Sequence, residues 1–527
     1  MARILIADTL AHDGIDALKG LHEVIVSTGL SEDELLEAVA DISALVVRSQ
    51  TRVTAKVIEA APKLEVIGRA GVGVDNIDLD AATERGVIVV NAPLANTVSA
   101  AEHAFGLMLA LARNVPQAVA SLKAGEWERS RYQGVELAGH TLGIVGLGRV
   151  GTEVATRARA FEMRVVAYDP FVSAERASGL GIEIVELEKL LADSDFVSLH
   201  TTLYEGTRGL INEEHLALMK PSARIINTAR GELVDEQALF DAVESGRIAG
   251  AAIDVFSEEP AIGNILTTSD RIVATPHLAA STAEAQERAA VAVAEQVLDV
   301  LEGRPARFAV NMPLVDPETM AIIGPYIDAA EVAASIASQL VPGAISRARI
   351  EYAGNIANYE TSPLRAAVVV GMLERVTEEN VTIVNAERFA EQFGIQIDEE
   401  SGPARDPYAN LLVVHLFGPD GETQVTATNT QQGVLVTAIG EYRGIDIAPT
   451  AAPYALAVEN RNRPGMIGRV GTLLGEWDVN IVYMSVAAGP GERALMMVGV
   501  DRALTASELD EISGLDHIVR ARLIDLG

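Results

Sequence analysis

The first 92 residues alternate between short apolar runs and amphipathic stretches. Five runs rich in Val and Ile predict strands: Ile4–Ala7, Glu23–Val26, Ala44–Val47, Val66–Arg69 and Val87–Asn91. Helical patterns such as Glu32–Ala40 and Ala55–Ala60 lie between them. Strands that alternate with helices predict a parallel sheet covered by helices.

The same alternation returns after Thr141 and predicts a second parallel sheet. Its strands are expected at Gly143–Val145, Arg164–Tyr168, Phe196–His200, Arg224–Asn227, Gly250–Asp254 and Ile272–Ala274. Between the two units, Ser99–Arg113 is apolar on nearly every face, so we expect this helix to pack against another domain or subunit. A long patterned helix, Thr282–Glu302, ends the unit.

The remaining third of the chain predicts two smaller units. Gly303-Arg304-Pro305 and Asn311-Met312-Pro313 indicate a linker. After Pro453 the order of elements reads βαββαβ, which predicts a small antiparallel sheet with two helices on one face. The fold class is therefore α/β, with two Rossmann-like parallel-sheet domains, an α+β intervening domain and a βαββαβ (ferredoxin-like) domain. We expect domain limits of 1–97 with 283–314, then 98–282, 315–450 and 451–527.

Composition and charge narrow the classes of function. The 527 residues carry a net charge of −33, so nucleic acid and anionic membranes are poor partners. There is no cysteine, which excludes disulfides, thiolate nucleophiles and zinc-thiolate sites and favours an intracellular, cytoplasmic setting. The N-terminus shows no targeting segment, and no apolar run approaches the ~18 residues of a membrane span.

A glycine-rich turn predicts a dinucleotide site. Gly146, Gly148 and Gly151 form G-x-G-x-x-G directly after an apolar strand and before a helical pattern. The next strand ends in Asp169, close to the position expected for an acid that binds the ribose 2′-hydroxyl. Its carboxylate would repel a 2′-phosphate, so the predicted cofactor is NAD rather than NADP.

Three strand ends of the second unit carry an arginine, a carboxylate and a histidine. Arg230, Glu259 and His277 each follow a predicted strand of one parallel sheet, and such ends converge on one rim. Arginine binds a carboxylate through two hydrogen bonds, and a histidine oriented by a carboxylate exchanges a hydroxyl proton. Each residue alone also fits an ordinary ion pair or a structural histidine, which is how we interpret the other eight histidines. Their joint placement favours catalysis, and no metal-ligand spacing accompanies them.

These segments together resemble the D-2-hydroxyacid dehydrogenase family. The matching segments are Leu142–Gly151 (LGIVGLGRVG), Asn227–Asp235 (NTARGELVD), Ala252–Pro260 (AIDVFSEEP), Thr275–Ser281 (TPHLAAS), Val66–Asp78 (VIGRAGVGVDNID) and Gly125–Arg129 (GEWER). The last two are similar to the branch of the family that acts on 3-phospho-D-glycerate. The resemblance implies oxidation of 3-phospho-D-glycerate to 3-phosphohydroxypyruvate with NAD, the first step of L-serine biosynthesis.

The resemblance also implies roles for individual residues. Arg230, Glu259 and His277 would be the catalytic residues. Cofactor contacts would come from the glycine turn with Arg149 and Val150, and from Asp169, Thr201 and Asp254, the last holding the nicotinamide amide. Three arginines would bind substrate anions: Arg48, Arg69 and Arg129, with Arg129 reaching a neighbouring subunit's site. Arginines make up 35 of the 41 basic residues, which suits a local anion pocket in an acidic protein.

The C-terminal unit resembles an ACT regulatory domain, through Asn462-Arg463-Pro464-Gly465 and Asn480-Ile481. The resemblance implies a homotetramer and an L-serine effector bound near Asn460, Asn462 and Asn480, although relatives carry a bulkier side chain at the first of these. Two alternatives stay open: a D-2-hydroxyacid dehydrogenase acting on glycerate or lactate, and a non-catalytic NAD-sensing protein.

Overall fold

A computed structural model of the chain describes residues 1–20, 22–304, 306–312, 315, 317–377 and 379–526. Within them the chain forms four sheets. Pro305 and Pro313 of the predicted linker, and the predicted boundary at residue 314, lie outside the described residues.

The first sheet contains five parallel strands in the order β2-β1-β3-β4-β5. These are β1 (Arg3–Ile6), β2 (Glu23–Val26), β3 (Ala44–Val47), β4 (Val66–Arg69) and β5 (Ile88–Asn91). Its helices are α1 (His12–Lys19), α2 (Glu32–Ala38), α3 (Ala55–Glu59) and α4 (Leu79–Glu84). The central strand β3 is buried throughout, which explains its unbroken apolar run.

The second sheet contains seven parallel strands in the order β12-β11-β10-β9-β6-β7-β8. These are β6 (Thr141–Val145), β7 (Arg164–Tyr168), β8 (Glu183–Ile184), β9 (Phe196–Leu199), β10 (Arg224–Asn227), β11 (Gly250–Ile253) and β12 (Ile272–Ala274). The helices up to the end of this unit are α5 (Thr97–Ala112), α6 (Val115–Lys123), α7 (Arg149–Ala160), α8 (Ala174–Gly179), α9 (Leu187–Asp193), α10 (Glu213–Leu218), α11 (Glu236–Glu244) and α12 (Ala283–Leu301).

Two long helices connect these units. Helix α12 follows the second sheet in the chain but packs on α1, β4 and β5 of the first, and the expected domain limits stay a prediction. Helix α5 packs on α7 and on strands β10 to β12, so its apolar faces lie in the core of the second unit. Its own sheet and a neighbouring helix cover much of its apolar surface, and the expected packing of α5 against another domain or subunit stays a prediction.

The third sheet is mixed, in the order β14-β13-β15-β16-β17-β18. Its strands are β13 (Arg347–Gly354), β14 (Gln396–Gly402), β15 (Asn410–Gly418), β16 (Gly421–Thr430), β17 (Gly433–Ile439) and β18 (Tyr442–Ile447). Four helices belong to this unit: α13 (Pro317–Ile323), α14 (Ile327–Leu340), α15 (Ser362–Leu373) and α16 (Ala386–Gln392).

One segment of this unit, Glu318–Leu340, is long and apolar enough to cross a membrane by length and composition, with a mean hydropathy of 1.3. The sequence expectation of no such run is therefore wrong for this segment. Within it, α14 buries Ala329, Ala333 and Ala337 in the core beneath the third sheet. This is the pattern of a helix that packs in a protein core.

The fourth sheet is antiparallel, in the order β20-β21-β19-β22. Its elements are β19 (Tyr454–Arg461), α17 (Met466–Glu476), β20 (Ile481–Ala488), β21 (Arg493–Val500), α18 (Ala506–Ser513) and β22 (Ile518–Asp525). The predicted βαββαβ order and the α/β fold class are confirmed.

Candidate functional site

The order of strands reverses once in each parallel sheet. In the first sheet β1 lies between β2 and β3, and in the second β6 lies between β7 and β9. Ligands of open parallel sheets bind beyond the carboxyl ends of the strands at such reversals. Asp8 and Arg48 follow the two strands at the first reversal, and Gly146 and Thr201 follow those at the second.

The glycine-rich turn has the geometry of a phosphate cradle. Gly146 adopts φ +94°, and a Cβ there would lie 2.7 Å from backbone atoms of His200 and Thr201. A Cβ on Gly151 would lie 2.1 Å from the carbonyl oxygen of Gly146, so only glycine allows helix α7 to pack this closely. Gly148, at the N-cap of α7, faces open space. The turn therefore fits a pyrophosphate at the N-terminus of α7, where helix N–H groups lack partners.

The acid that follows β7 is held against this turn. Asp169 accepts hydrogen bonds from the backbone N–H of Leu147 at 2.8 Å and of Phe171 at 2.9 Å. Arg149 is exposed and Val150 half-buried on the first turn of α7. Thr201 follows His200, whose burial lowers its pKa to about 4, so this imidazole stays neutral. The predicted role of these four residues, Arg149, Val150, Asp169 and Thr201, is to hold the adenosine and pyrophosphate portions of NAD.

The predicted catalytic residues meet at one rim of the second sheet. His277 Nδ1 lies 2.8 Å from Glu259 Oε2, and the two side chains are 48% and 37% exposed. Glu259 is fixed in turn by the backbone N–H of Phe256, which donates to its Oε1 at 3.2 Å. Because Nδ1 is occupied by the carboxylate, Nε2 is the ring nitrogen left for a substrate hydroxyl.

Arg230 is positioned by a buried amide. The side chain of Asn227, 1% exposed, donates to the carbonyl of Arg230 at 2.8 Å and accepts from the N–H of Ala229 at 3.0 Å. These bonds shape the turn after β10. The guanidinium then lies 3.7 Å from the carboxylate of Asp75, which follows the first sheet's strand β4.

A cavity of about 930 Å³ lies between the two parallel-sheet units. Its lining includes five of the predicted site residues: Arg48, Arg69, Arg230, Glu259 and His277. Arg48 and Arg69 come from the first unit, and the other three come from the second. The cavity therefore combines three cations with a carboxylate-oriented histidine.

Among these three arginines, Arg69 is the one whose pKa is lowered by burial. Burial lowers its pKa to about 10, against the opposing effect of Asp75, while Arg230 and Arg48 lower it further. Its Nε is buried and has no hydrogen-bond partner among the described residues. An unpaired buried donor beside two further guanidinium groups is what a pocket for an anion requires.

Sequence reasoning missed Asp8, which shapes the turn that carries Arg48. Its carboxylate is 3% exposed and accepts from the N–H of Arg48 at 2.6 Å and from the hydroxyl of Thr51 at 2.7 Å. Asn76 holds the same turn by donating to the carbonyl of Arg48 at 2.7 Å. The signal was available, because Asp8 directly follows the first buried strand at a sheet edge where ligands bind.

Asp254 directly follows strand β11. It is fully buried and accepts hydrogen bonds from the side chains of Thr275 at 2.6 Å and His103 at 3.0 Å. Its predicted contact with the nicotinamide amide stays a prediction. His103, which sequence reasoning treated as an ordinary structural histidine, is thus linked to the loop that carries His277.

The remaining predicted residues lie apart from this cavity. Arg129 is exposed in the segment after α6 and does not line it. In the fourth unit Asn462 and Asn480 are exposed, whereas Asn460 is 2% exposed and its side-chain oxygen has no partner among the described residues. In the same described ranges, no group of three or more His, Asp or Glu residues is arranged to hold a metal ion.

Two family models match the chain. Residues 105–279 match the NAD binding domain of D-isomer specific 2-hydroxyacid dehydrogenases. Residues 322–437 match the intervening domain of D-3-phosphoglycerate dehydrogenase. The first match covers the glycine-rich turn and all three predicted catalytic residues.

Whole-chain relatives agree with these models. The D-3-phosphoglycerate dehydrogenase of Methanocaldococcus jannaschii is 41% identical over 528 residues and covers 100% of both chains. That of Synechocystis is 43% identical and covers 100% of this chain and 95% of the relative. Among solved structures, D-lactate dehydrogenase from Aquifex aeolicus complexed with NAD and lactic acid is 29% identical, with a TM-score of 0.52, over 57% of this chain and 96% of that one.

The glycine cradle and the matched NAD binding domain identify an NAD-dependent dehydrogenase. Over its full length the chain is more than 40% identical to two relatives that are both named D-3-phosphoglycerate dehydrogenase, and this identity indicates the branch of the family. The chain belongs to the D-3-phosphoglycerate dehydrogenase family, within the D-isomer specific 2-hydroxyacid dehydrogenases.

Proposed function

We propose that this chain oxidises 3-phospho-D-glycerate to 3-phosphohydroxypyruvate with NAD, the first step of L-serine biosynthesis. The observation that carries the proposal is that the His277–Glu259 pair and three arginines line the same cavity. The substrate has an anion at each end and a hydroxyl between them. The local cluster of guanidinium groups suits such a molecule in spite of the negative net charge of the chain.

In the proposed mechanism Arg230 binds the substrate carboxylate through two hydrogen bonds and fixes the reacting carbon beside His277. Arg48 and Arg69, from the opposite wall, bind the phosphate. His277 Nε2 takes the hydroxyl proton, and Glu259 stabilises the imidazolium through Nδ1. Bound NAD supplies the acceptor for the hydride that leaves the same carbon.

The test is the appearance of NADH with 3-phospho-D-glycerate, compared with D-glycerate and D-lactate. We expect kcat/KM to fall by about 100-fold when the phosphate is absent, because charge-assisted hydrogen bonds to two arginines are lost. Equal rates with glycerate or lactate would instead indicate a D-2-hydroxyacid dehydrogenase of another specificity. No turnover with intact NADH binding would indicate a sensor.

His277→Ala is the matched variant for this assay. Its turnover should fall by at least 100-fold, because among the described residues that line the cavity His277 is the imidazole oriented by a carboxylate to accept the hydroxyl proton. Its NADH affinity, measured by fluorescence titration, should stay close to that of the wild type. Normal turnover in this variant would contradict the assigned role of the histidine.

We also propose regulation by L-serine at the ACT-like fourth unit. The exposed Asn462 and Asn480 are available to a ligand at the protein surface, and Asn460 offers an unpaired oxygen inside the sheet. L-serine should inhibit the wild type and not the Asn462→Ala variant, with D-serine as the control ligand. Inhibition that is equal in both proteins would place the effector elsewhere.

The proposed assembly is a homotetramer, and the proposed location is the cytoplasm. The exposed position of Arg129 outside its own chain's cavity supports a contact across a subunit boundary. Sedimentation of the intact chain measures the number of subunits. Arg129→Ala should raise KM for the substrate without changing the affinity for NADH if the arginine reaches a neighbouring site.

A further inference from the structure

His103 lies on the helix that joins the two parallel-sheet units. It is a member of α5, and its side chain is 22% exposed. Its Nε2 lies 3.0 Å from Asp254 Oδ1 and 3.3 Å from Thr275 Oγ1. A carboxylate only accepts hydrogen bonds, so Nε2 is the donor in this contact whichever charge the ring carries.

The carboxylate of Asp254 holds the loop on which His277 stands. Its Oδ1 accepts from the N–H of Leu278 at 2.8 Å and its Oδ2 from the N–H of Ala279 at 2.9 Å. The Thr275 hydroxyl donates to Oδ1 at 2.6 Å. One side chain therefore binds both ends of a five-residue loop.

This loop needs such support. His277 adopts φ +53°, a left-handed conformation that is unfavourable for a residue with a Cβ. Its own N–H donates to the carbonyl of Asp254 at 2.8 Å. The conformation that brings Nδ1 of His277 to Glu259 thus depends on the main chain and the side chain of Asp254.

His103 differs from the other donors to this carboxylate. Three of the four side-chain and backbone donors belong to the 275–279 loop itself, whereas His103 belongs to α5. It therefore ties the loop to a helix buried in the core of the second unit. Without it, Asp254 and the loop could shift together and keep their mutual hydrogen bonds.

We propose that His103 is a positioning residue for the proposed reaction: its Nε2–H fixes the Asp254 carboxylate, which in turn holds His277 in its left-handed conformation against Glu259. Only the kinetic test of this proposal rests on the proposed function. His103 does not line the cavity that holds the proposed catalytic residues, so it would act through Asp254.

The test compares His103→Gln with His103→Asn and His103→Leu in the full-length protein. The amide nitrogen of Gln reaches the position of the histidine Nε2, that of Asn stops short of it, and Leu has no donor. We expect kcat with 3-phospho-D-glycerate to fall between about tenfold and 100-fold in the Leu and Asn variants. The Gln variant should stay within about threefold of the wild type. Met108→Leu, a conservative change at a fully buried site of α5, is the control.

Hydrogen exchange of the 277–281 segment supplies a readout that does not depend on turnover. Exchange of these amides should accelerate in the Leu and Asn variants and not in the Gln variant. A wild type that fails to turn over the substrate would contradict the proposed function, and the exchange measurement would still decide the role of His103. The proposed role of His103 would be overturned by equal kcat and equal exchange in the Gln and Asn variants. Wild-type kcat and exchange in the Leu variant would overturn it as well.

Discussion

Replacing Arg69 by methionine should stabilise the protein while it weakens anion binding. The guanidinium of Arg69 is largely buried, its Nε has no partner among the described residues, and Arg48 and Arg230 face the same cavity. The free protein therefore keeps a poorly compensated cation at this position. Such a charge is tolerated where it binds a ligand, at the expense of stability.

The size of the effect follows from the pKa of Arg69. Burial lowers it from its ordinary value to about 10, so the charged form is less favourable in the folded protein than in the unfolded chain by about 3 kcal/mol. Methionine fills a similar length without a charge. We expect Arg69→Met to raise the free energy of unfolding at pH 7 by about 2–3 kcal/mol, the upper value assuming unchanged packing.

The dependence on pH has a definite sign. Below pH 10 the arginine is protonated in both states, so the full penalty on the folded protein is present. Above pH 10, and up to the ordinary pKa of a guanidinium group, the folded protein binds fewer protons than the unfolded chain, so the stability of the wild type rises relative to the variant. The advantage of Arg69→Met should therefore be constant from pH 7 to 9 and smaller at pH 10.5.

Urea unfolding followed by circular dichroism measures this advantage, with the exposed Arg52→Met as the control expected to stay within ~0.5 kcal/mol of the wild type. Sulfate should raise the unfolding midpoint of the wild type more than that of Arg69→Met. A variant less stable than the wild type at pH 7, or an advantage that does not shrink at pH 10.5, would refute the electrostatic reasoning.

Four further substitutions, one of them a control, test other parts of the site. Gly151→Ala should lower NADH affinity at least tenfold and destabilise the protein by about 1–3 kcal/mol, because the added Cβ would lie 2.1 Å from a carbonyl oxygen of the same turn. Gly148→Ala, whose Cβ meets no atom, should leave the stability unchanged, and equal losses of stability would contradict this account. Asp169→Ser should lower the preference for NAD over NADP in kcat/KM at least tenfold, since the carboxylate that repels a 2′-phosphate is gone; an unchanged ratio would assign that preference to other residues. Asp8→Asn should raise KM for 3-phospho-D-glycerate about tenfold and leave kcat within threefold of the wild type. The reason is that Asn replaces a buried carboxylate that accepts three hydrogen bonds in the turn that carries Arg48. A drop confined to kcat would be inconsistent with this role.

The local pattern of apolar and polar residues determined the positions of most strands in the two parallel sheets. Most predicted strands of the two parallel sheets agree with the structure to within two residues at each end, because buried parallel strands are continuous apolar runs bounded by polar turns. The same pattern indicates that Arg230, Glu259 and His277 share one rim. Parallel strands present their carboxyl ends on one side, so this placement needs no knowledge of strand order.

Tertiary structure decided the contacts between residues that are distant in the chain. Asp8 and Arg48 are 40 residues apart, and they meet because β1 and β3 are neighbours in the first sheet. His103 and Asp254 are 151 residues apart, and they meet because α5 packs on the strands of the second sheet. Periodicity encodes which face of an element is apolar, whereas the partner of that face depends on the order of strands and the packing of the whole chain. For this reason the sequence by itself predicted the candidate reacting groups, and only the fold showed which residues hold them in place.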